Sequence, residues 1–395
     1  MYTPPVSGCF MHFALIFTGL GLMLTASFFD SVRGPLLPLL GHELGLSYEA
    51  VSWFLVVGYV SAVAFGRTLI PLVDSWGVRR LAATLCLLGP VVALAARGVS
   101  GFASLLVLGA LIGCLSSAVG AVANLFILEG TSLRHRGRIY AFLHTMYGLG
   151  SQAAPLVLGI ALTRGLNWRS LFAIACVPLL AMAAWVVWGL GPPKKEEHLE
   201  RPKPAPFRFR SIQGLLVCCF AVYVGAEVMT SMWMVAYLVE VDRMTVAQGS
   251  FYATGFFLCM TLSRFACMLV EKDSTERVVI LLGIVAALMS LAGAWTDARW
   301  PLMTAGLVGP FFPLILARLT RYFPAEAPSL TFRVLLGGQA TVAVSHLGVG
   351  WLATHTSVRI AYTVPFVGFV LVAILTTAYF IQEKRHFHPP VIARR

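Results

Sequence analysis

Two stretches, read side by side, decide the fold. Residues 58–80 read GYVSAVAFGRTLIPLVDSWGVRR, and residues 255–277 read GFFLCMTLSRFACMLVEKDSTER. Gly58, Arg67, Asp74 and Arg80 in the first match Gly255, Arg264, Glu271 and Arg277 in the second. The match extends upstream, because Asp30 and Glu227 precede the two glycines by the same 28 residues. The shift is 197 residues throughout, close to half of the 395-residue chain. An ionisable residue in the middle of an apolar span costs about 2.5–3.5 kcal/mol on insertion scales, so a repeated set of them needs a reason. A parallel repeat of this size is the internal symmetry of secondary transporters, with a site between the halves near the midplane.

Composition supports the same class. The chain is 58% hydrophobic and 12% charged, with a mean hydropathy of +0.82. Soluble domains carry about 25% charged residues. A single soluble core cannot bury so much apolar surface at this length, and a disordered chain would be polar. The apolar runs are long and unbroken, unlike the short alternating strands of a barrel. The expected fold class is an all-α membrane protein.

Cutting the chain at charged and Pro/Gly/Asn-rich punctuation gives runs at 12–39, 50–73, 78–97, 102–128, 138–163 and 168–190. A second set lies at 213–239, 246–270, 276–296, 300–322, 330–353 and 358–381. Each is long enough to span a bilayer, which takes roughly 17–25 apolar residues. This predicts twelve transmembrane helices in two pseudo-symmetric six-helix bundles, 1–190 and 213–395. The linker between them, 191–212, reads GPPKKEEHLERPKPAPFRFRSI, with five prolines and dense charge. It is expected to be cytoplasmic and solvated, ending in a short surface-lying helix. The N-terminus has no basic region and no evident cleavage site, so the first span is expected to be retained.

Net charge is +12. With both termini cytoplasmic, 20 of the 29 Lys and Arg fall in inner loops, 6 in outer loops and 3 in spans. That asymmetry is the positive-inside rule, so the basic excess reads as topology and no nucleic-acid partner is expected. The expected location is the inner membrane of a bacterium. Seven of the eight cysteines sit in apolar runs without metal spacing and read as small apolar packers. No H-E-x-x-H, G-x-S-x-G or GxxxxGK[ST] motif occurs. An enzyme, a cofactor, a metal and a nucleotide-driven pump are therefore not expected.

The loop Asp74-Ser75-Trp76-Gly77-Val78-Arg79-Arg80 resembles the D-[R/K]-x-G-x-[R/K]-[R/K] loop of the major facilitator superfamily, with Ile70 where that family usually has glycine. The resemblance implies the major facilitator fold and covers essentially the whole chain. Within it, Tyr223-Val224-Gly225-Ala226-Glu227 with Trp233 and Tyr237, and Met260-Thr261-Leu262-Ser263-Arg264-Phe265, resemble the fucose-permease-like branch of sugar/proton symporters. In that branch an acidic residue of span one takes part in proton coupling, and Asp30 lies in the matching region. A second, in span four, has no counterpart here, since that span carries no carboxylate before Glu129.

Proton coupling is assigned to Asp30 and Glu227. Arg33 stands three residues after Asp30 and can pair with it on one helix. Glu227 has no opposite charge within a turn, and Tyr223, Thr230 and Ser231 give it a hydroxyl-lined face. His144, Tyr147, Ser151 and Gln152 share a helix face in span five, and Gln339 and His346 repeat a seven-residue spacing in span eleven. With Arg33, Asn124, Tyr223, Thr230 and Trp233 these, Ser151 apart, are the substrate-contact candidates. Arg67, Asp74, Arg79, Arg80, Arg264 and Glu271 read as gating or structural charges, Arg67 and Arg264 each sharing a face with an acid two turns on.

The expected function is proton-coupled alternating access for a small polar, sugar-like solute, by a monomer in the bilayer. An exporter or importer of amphipathic or anionic compounds is the first alternative, and a transport-inactive receptor or scaffold the second.

Overall fold

Proline and glycine determine where the helices break. The computed structural model describes residues 12–132, 135–190, 211–267, 273–324 and 326–387, and every regular element among them is helical. They group into twelve segments. The first six are α1 (Phe13–Leu44), α2 (Tyr48–Trp76), α3 (Val78–Arg97), α4 (Phe102–Gly130), α5 (Arg136–Thr163) and α6 (Arg169–Gly189). The second six are α7 (Ser211–Asp242), α8 (Val246–Cys267), α9 (Asp273–Ala292), α10 (Pro301–Tyr322), α11 (Ala327–His355) and α12 (Val358–Phe387).

Ten of these segments are long and apolar enough to cross a membrane. The exceptions are α8 and α11, diluted by polar residues such as Arg264, Gln339 and His346. The chain is a multi-pass membrane protein. Most of the linker predicted at 191–212, Glu271 and the chain ends lie outside the described residues.

Helix α1 is interrupted at Val32, between Asp30 and Arg33. Pro35 has no N–H to give to the Ser31 carbonyl, which loosens the turn there. Helix α10 is broken in the same way by Pro310 and Pro313, with a 3-10 turn at Ala305–Val308. At Gly77 the backbone has φ +77°, a conformation that turns α2 sharply into α3 and that only glycine adopts freely.

Within each group of six, neighbouring helices touch through glycine. A Cβ placed on Gly113 of α4 would stand 2.0 Å from the Gly58 carbonyl oxygen of α2. Backbone faces backbone there, so nothing can yield. Gly113→Ala is expected to cost about 1–3 kcal/mol by overpacking. Gly348→Ala is its control, because nothing lies within 4 Å of that position, and is expected to be near neutral. Thermal unfolding in detergent compares the two, and equal melting temperatures would refute the assignment.

Close packing across the two groups runs through α1–α7, α2–α11 and α5–α8, with a smaller contact of α1 on α8. The first two pairs meet at the end away from the described termini. There the Tyr48 hydroxyl donates to Glu240 Oε1 at 2.9 Å, and the Glu49 N–H donates to Thr354 Oγ1 at 2.8 Å. No close packing joins α4 to α10 or α11 among the described residues. Among the described residues, the cross-group contacts of α1–α7 and α2–α11 therefore shut one end.

Candidate functional site

Each group of six carries one carboxylate held by an arginine and a tyrosine. In the first group Asp30 accepts from Arg33 Nη2 and, at 2.7 Å, from the Tyr147 hydroxyl of α5. Arg33 also donates through Nε to the Asp30 carbonyl at 3.0 Å, and its guanidinium lies 4.5 Å above the Tyr59 ring. The Arg33 side chain is 1% exposed. Such burial is tolerable for a cation only because a carboxylate, a carbonyl and an aromatic face surround it.

In the second group Glu227 accepts from the Tyr223 hydroxyl and from Arg264 Nη2 at 3.3 Å. Arg264 is expected to share a face with Glu271 as a gating or structural charge; Glu271 lies outside the described residues, and Arg264 Nη2 reaches Glu227. The reason lies in α10, where Pro313 cannot donate to the Gly309 carbonyl. Arg264 Nε donates to that freed carbonyl at 3.1 Å, which fixes the guanidinium at this depth. Arg67, its repeat counterpart, is exposed, and so is Asp74. Thus the repeat holds for the two carboxylates but not for their arginines.

The hydroxyl-lined face expected around Glu227 is corrected. Thr230 Oγ1 donates to the Ala226 carbonyl at 2.8 Å, and Ser231 Oγ to Val228 at 3.2 Å. Both follow the local habit of short hydroxyls inside helices. Only Tyr223 reaches the carboxylate. Asn124, too, donates within its own helix, to Gly120 at 2.8 Å.

The remaining candidates fall into two places. His144 of α5 lies 5.8 Å from Phe312 of α10, ring to ring, on the Arg264 side. Arg264 acts electrostatically on both His144 and Tyr147, so the second group's arginine faces the first group's polar stripe. Gln152 and Gln339 are half-buried. His346 and Trp233 instead meet at the shut end, where Trp233 Nε1 donates to His346 Nδ1 at 3.1 Å. Arg79 and Arg80 lie at the start of α3, away from both triads.

Sequence reasoning missed three things. Tyr59 is the aromatic platform for Arg33. Gly109 and Gly306 are a further pair at the 197-residue shift, and each presses on a neighbouring backbone carbonyl. The third is a buried charge cluster at the end of α9, α10 and α12. Glu383 there pairs with Arg318 and, at 2.7 Å, with Arg277, while Glu276 takes Arg318 at 3.3 Å and Arg321 at 3.1 Å. Arg277, Arg318 and Arg321 are among the 20 basic residues that the charge count assigns to inner loops.

Against known proteins, the sequence model of the Major Facilitator Superfamily matches residues 19–308. The chain belongs to that superfamily. Among curated relatives, an MFS-type transporter of Mycobacterium tuberculosis is 31% identical over 231 residues, 55% of this chain and 30% of the relative. The Escherichia coli K12 transporter YgaY is 28% identical over 173 residues, 43% of this chain and 42% of its own. The chain therefore spans less than half the length of the curated relatives it matches.

Solved structures share the superfamily fold over nearly the whole chain. A D-xylose-proton symporter superposes with a TM-score of 0.74 at 13% identity, covering 93% of this chain and 97% of that one. A bacterial homolog of the human lysosomal transporter Spinster, inward-facing and unoccupied, gives 0.68 at 16% identity, covering 96% and 98%.

Proposed function

We propose that this superfamily member is a proton-coupled secondary transporter of a small polar, sugar-like solute. It works by rocking two bundles, 1–190 and 213–395, about a midplane site, with 191–212 as the cytoplasmic linker and twelve spans in all. The observation that carries this reading is the pair of carboxylate–arginine–tyrosine triads, Asp30/Arg33/Tyr147 and Glu227/Arg264/Tyr223, one wholly within each bundle.

A carboxylate that an arginine and a phenol compete to hold suits reversible protonation, because a proton on it frees both partners for a solute. His144, Gln152 and Gln339 add hydrogen-bonding groups of the kind that polyhydroxylated solutes use. The orientation follows from the charge asymmetry, with both termini inside a bacterial inner membrane. The shut end then faces outward. The D-xylose-proton symporter supports the solute class through its fold alone.

A second reading, an anionic or amphipathic cargo, draws on one observation. Arg33 Nη1 is buried with no acceptor among the described residues.

Uptake into proteoliposomes tests the proposal. A panel of labelled pentoses, hexoses and organic acids is offered with an inwardly directed proton gradient. At least one sugar is expected to accumulate about tenfold over the protonophore control, within the reach of a pH difference of one unit. Accumulation of acids alone would favour the second reading, and no gradient-dependent flux of any solute would sink both.

A further inference from the structure

We propose that His346 is the proton-responsive closure of the shut end: its neutral ring holds α2, α7 and α11 together, and its protonation releases them. This goes beyond the two triads, whose carboxylates it does not touch. It rests on the proposed orientation only for which side of the membrane opens.

The argument begins with a hydrogen bond whose direction is fixed. Indole Nε1–H can only donate. Trp233 Nε1 lies 3.1 Å from His346 Nδ1, so Nδ1 must be the bare acceptor. The single ring proton of neutral His346 then sits on Nε2, which has no partner among the described residues, and the residue is 0% exposed. On its face, the imidazole stacks on Tyr59 of α2, centroids 5.6 Å apart and planes 17° from parallel. One α11 side chain thus grips α7 by an edge and α2 by a face.

The seam continues outward. Trp233 packs on Tyr48 of α2 at 5.8 Å, and the Tyr48 hydroxyl reaches Glu240 of α7 at 2.9 Å. Tyr59–His346, Tyr48–Trp233 and Tyr48–Glu240 cross between the two bundles, while the Trp233–His346 bond ties α7 to α11 within the second and so fixes the indole that packs on Tyr48.

Protonation is incompatible with this arrangement. A proton on Nδ1 would face the indole N–H, and that bond would be lost. The new cation would also feel Arg33 of α1, which already acts electrostatically on the ring. Tyr59 from α2 already lends its ring to the Arg33 cation, and Trp233 from α7 presents an N–H, so neither supplies a carboxylate to balance it. Asp30, behind Arg33, is already committed to that arginine. An opened seam lets water solvate the imidazolium. Proton uptake therefore shifts the population toward the opened state, by the difference in proton affinity between the two.

Crosslinking reads the seam without any transport. Glu49→Cys and Thr354→Cys are placed together in the full chain, at positions whose backbone N and side-chain oxygen are 2.8 Å apart. Glu49→Cys also removes the His355–Glu49 contact of 3.8 Å, so that pair does not titrate into the signal. The chain is equilibrated between pH 7.5 and 5, a short bifunctional thiol reagent is applied, and the linked peptide is quantified by mass spectrometry as a ratio to the singly labelled peptides at the same pH, which cancels the loss of thiolate.

The yield is expected to fall about threefold or more toward pH 5, because only the opened, wetted seam gives the imidazole back its ordinary proton affinity. With His346→Gln, which keeps an acceptor for Trp233 but cannot protonate, the yield is expected to stay high and flat. Trp233→Phe removes the donor and is expected to lower the yield at pH 7.5, which carries the test if His346→Gln does not fold. An equal pH-dependence in His346→Gln, or an unchanged yield in Trp233→Phe, overturns the proposal. Either result can occur whether or not sugar uptake is found, so the two readings fail separately.

Discussion

Glu227→Gln is expected to abolish proton-driven accumulation while solute exchange continues. Glutamine keeps one oxygen, for Arg264 Nη2, and its NH2 can donate to the Tyr223 hydroxyl, which accepts as well as donates, so the local contacts have a replacement. What it lacks is a proton to exchange. Loss of a positioned acid–base group lowers proton-linked rates by about 100-fold or more. Exchange at equal pH on both sides needs no net proton transfer and is expected to persist. Asp30→Asn should behave likewise, because its oxygen can stay on Arg33 while its NH2 donates to the Tyr147 hydroxyl. Counterflow and gradient-driven uptake, measured side by side in proteoliposomes, separate the two activities. If both survive unchanged in both variants, neither carboxylate couples protons.

The second large effect concerns stability. Arg318 is 0% exposed and sits between Glu276 and Glu383. Removing one partner of a buried ionic cluster leaves charge uncompensated, which costs about 3–5 kcal/mol. Glu383→Gln, which leaves Arg277, Arg318 and Arg321 with Glu276 alone, is expected to destabilise by that amount in denaturant titrations in detergent. Arg318→Met combined with Glu383→Gln is expected to recover a large part of it, since the stranded charge is gone. A single variant within about 1 kcal/mol of the parent would show that the cluster is not structural.

The fold was legible because charge is so scarce in this chain. Each intramembrane exception stood out, and their common 197-residue shift exposed the duplication. The Asp30–Arg33 pair was legible for a local reason, being three residues apart on one helix. The Arg264–Glu227 pair was not, since 37 residues and a change of helix separate its members. Symmetry even misled there. Arg67 and Arg264 occupy equivalent sequence positions, but Pro313 in α10 frees a carbonyl that draws Arg264 inward, whereas Arg67 remains exposed. Thr230 and Ser231 misled for another reason. Spacing shows which face a hydroxyl lies on, but not that it will bond its own helix instead. The buried cluster around Arg318 escaped because counting basic residues near span ends treats them all as wet.

The composition of the two triads also bears on how membrane voltage enters the proposed cycle. Each pairs one negative with one positive side chain inside a single bundle. Moving an elementary charge through 100 mV is worth about 2.3 kcal/mol, so a bundle that rocked with an unbalanced charge would work against the resting potential on one stroke. An Asp–Arg or Glu–Arg pair that travels as a unit moves no net charge. The empty carrier can then reset at the same rate in energised and de-energised cells, and voltage acts only on strokes that carry the extra proton.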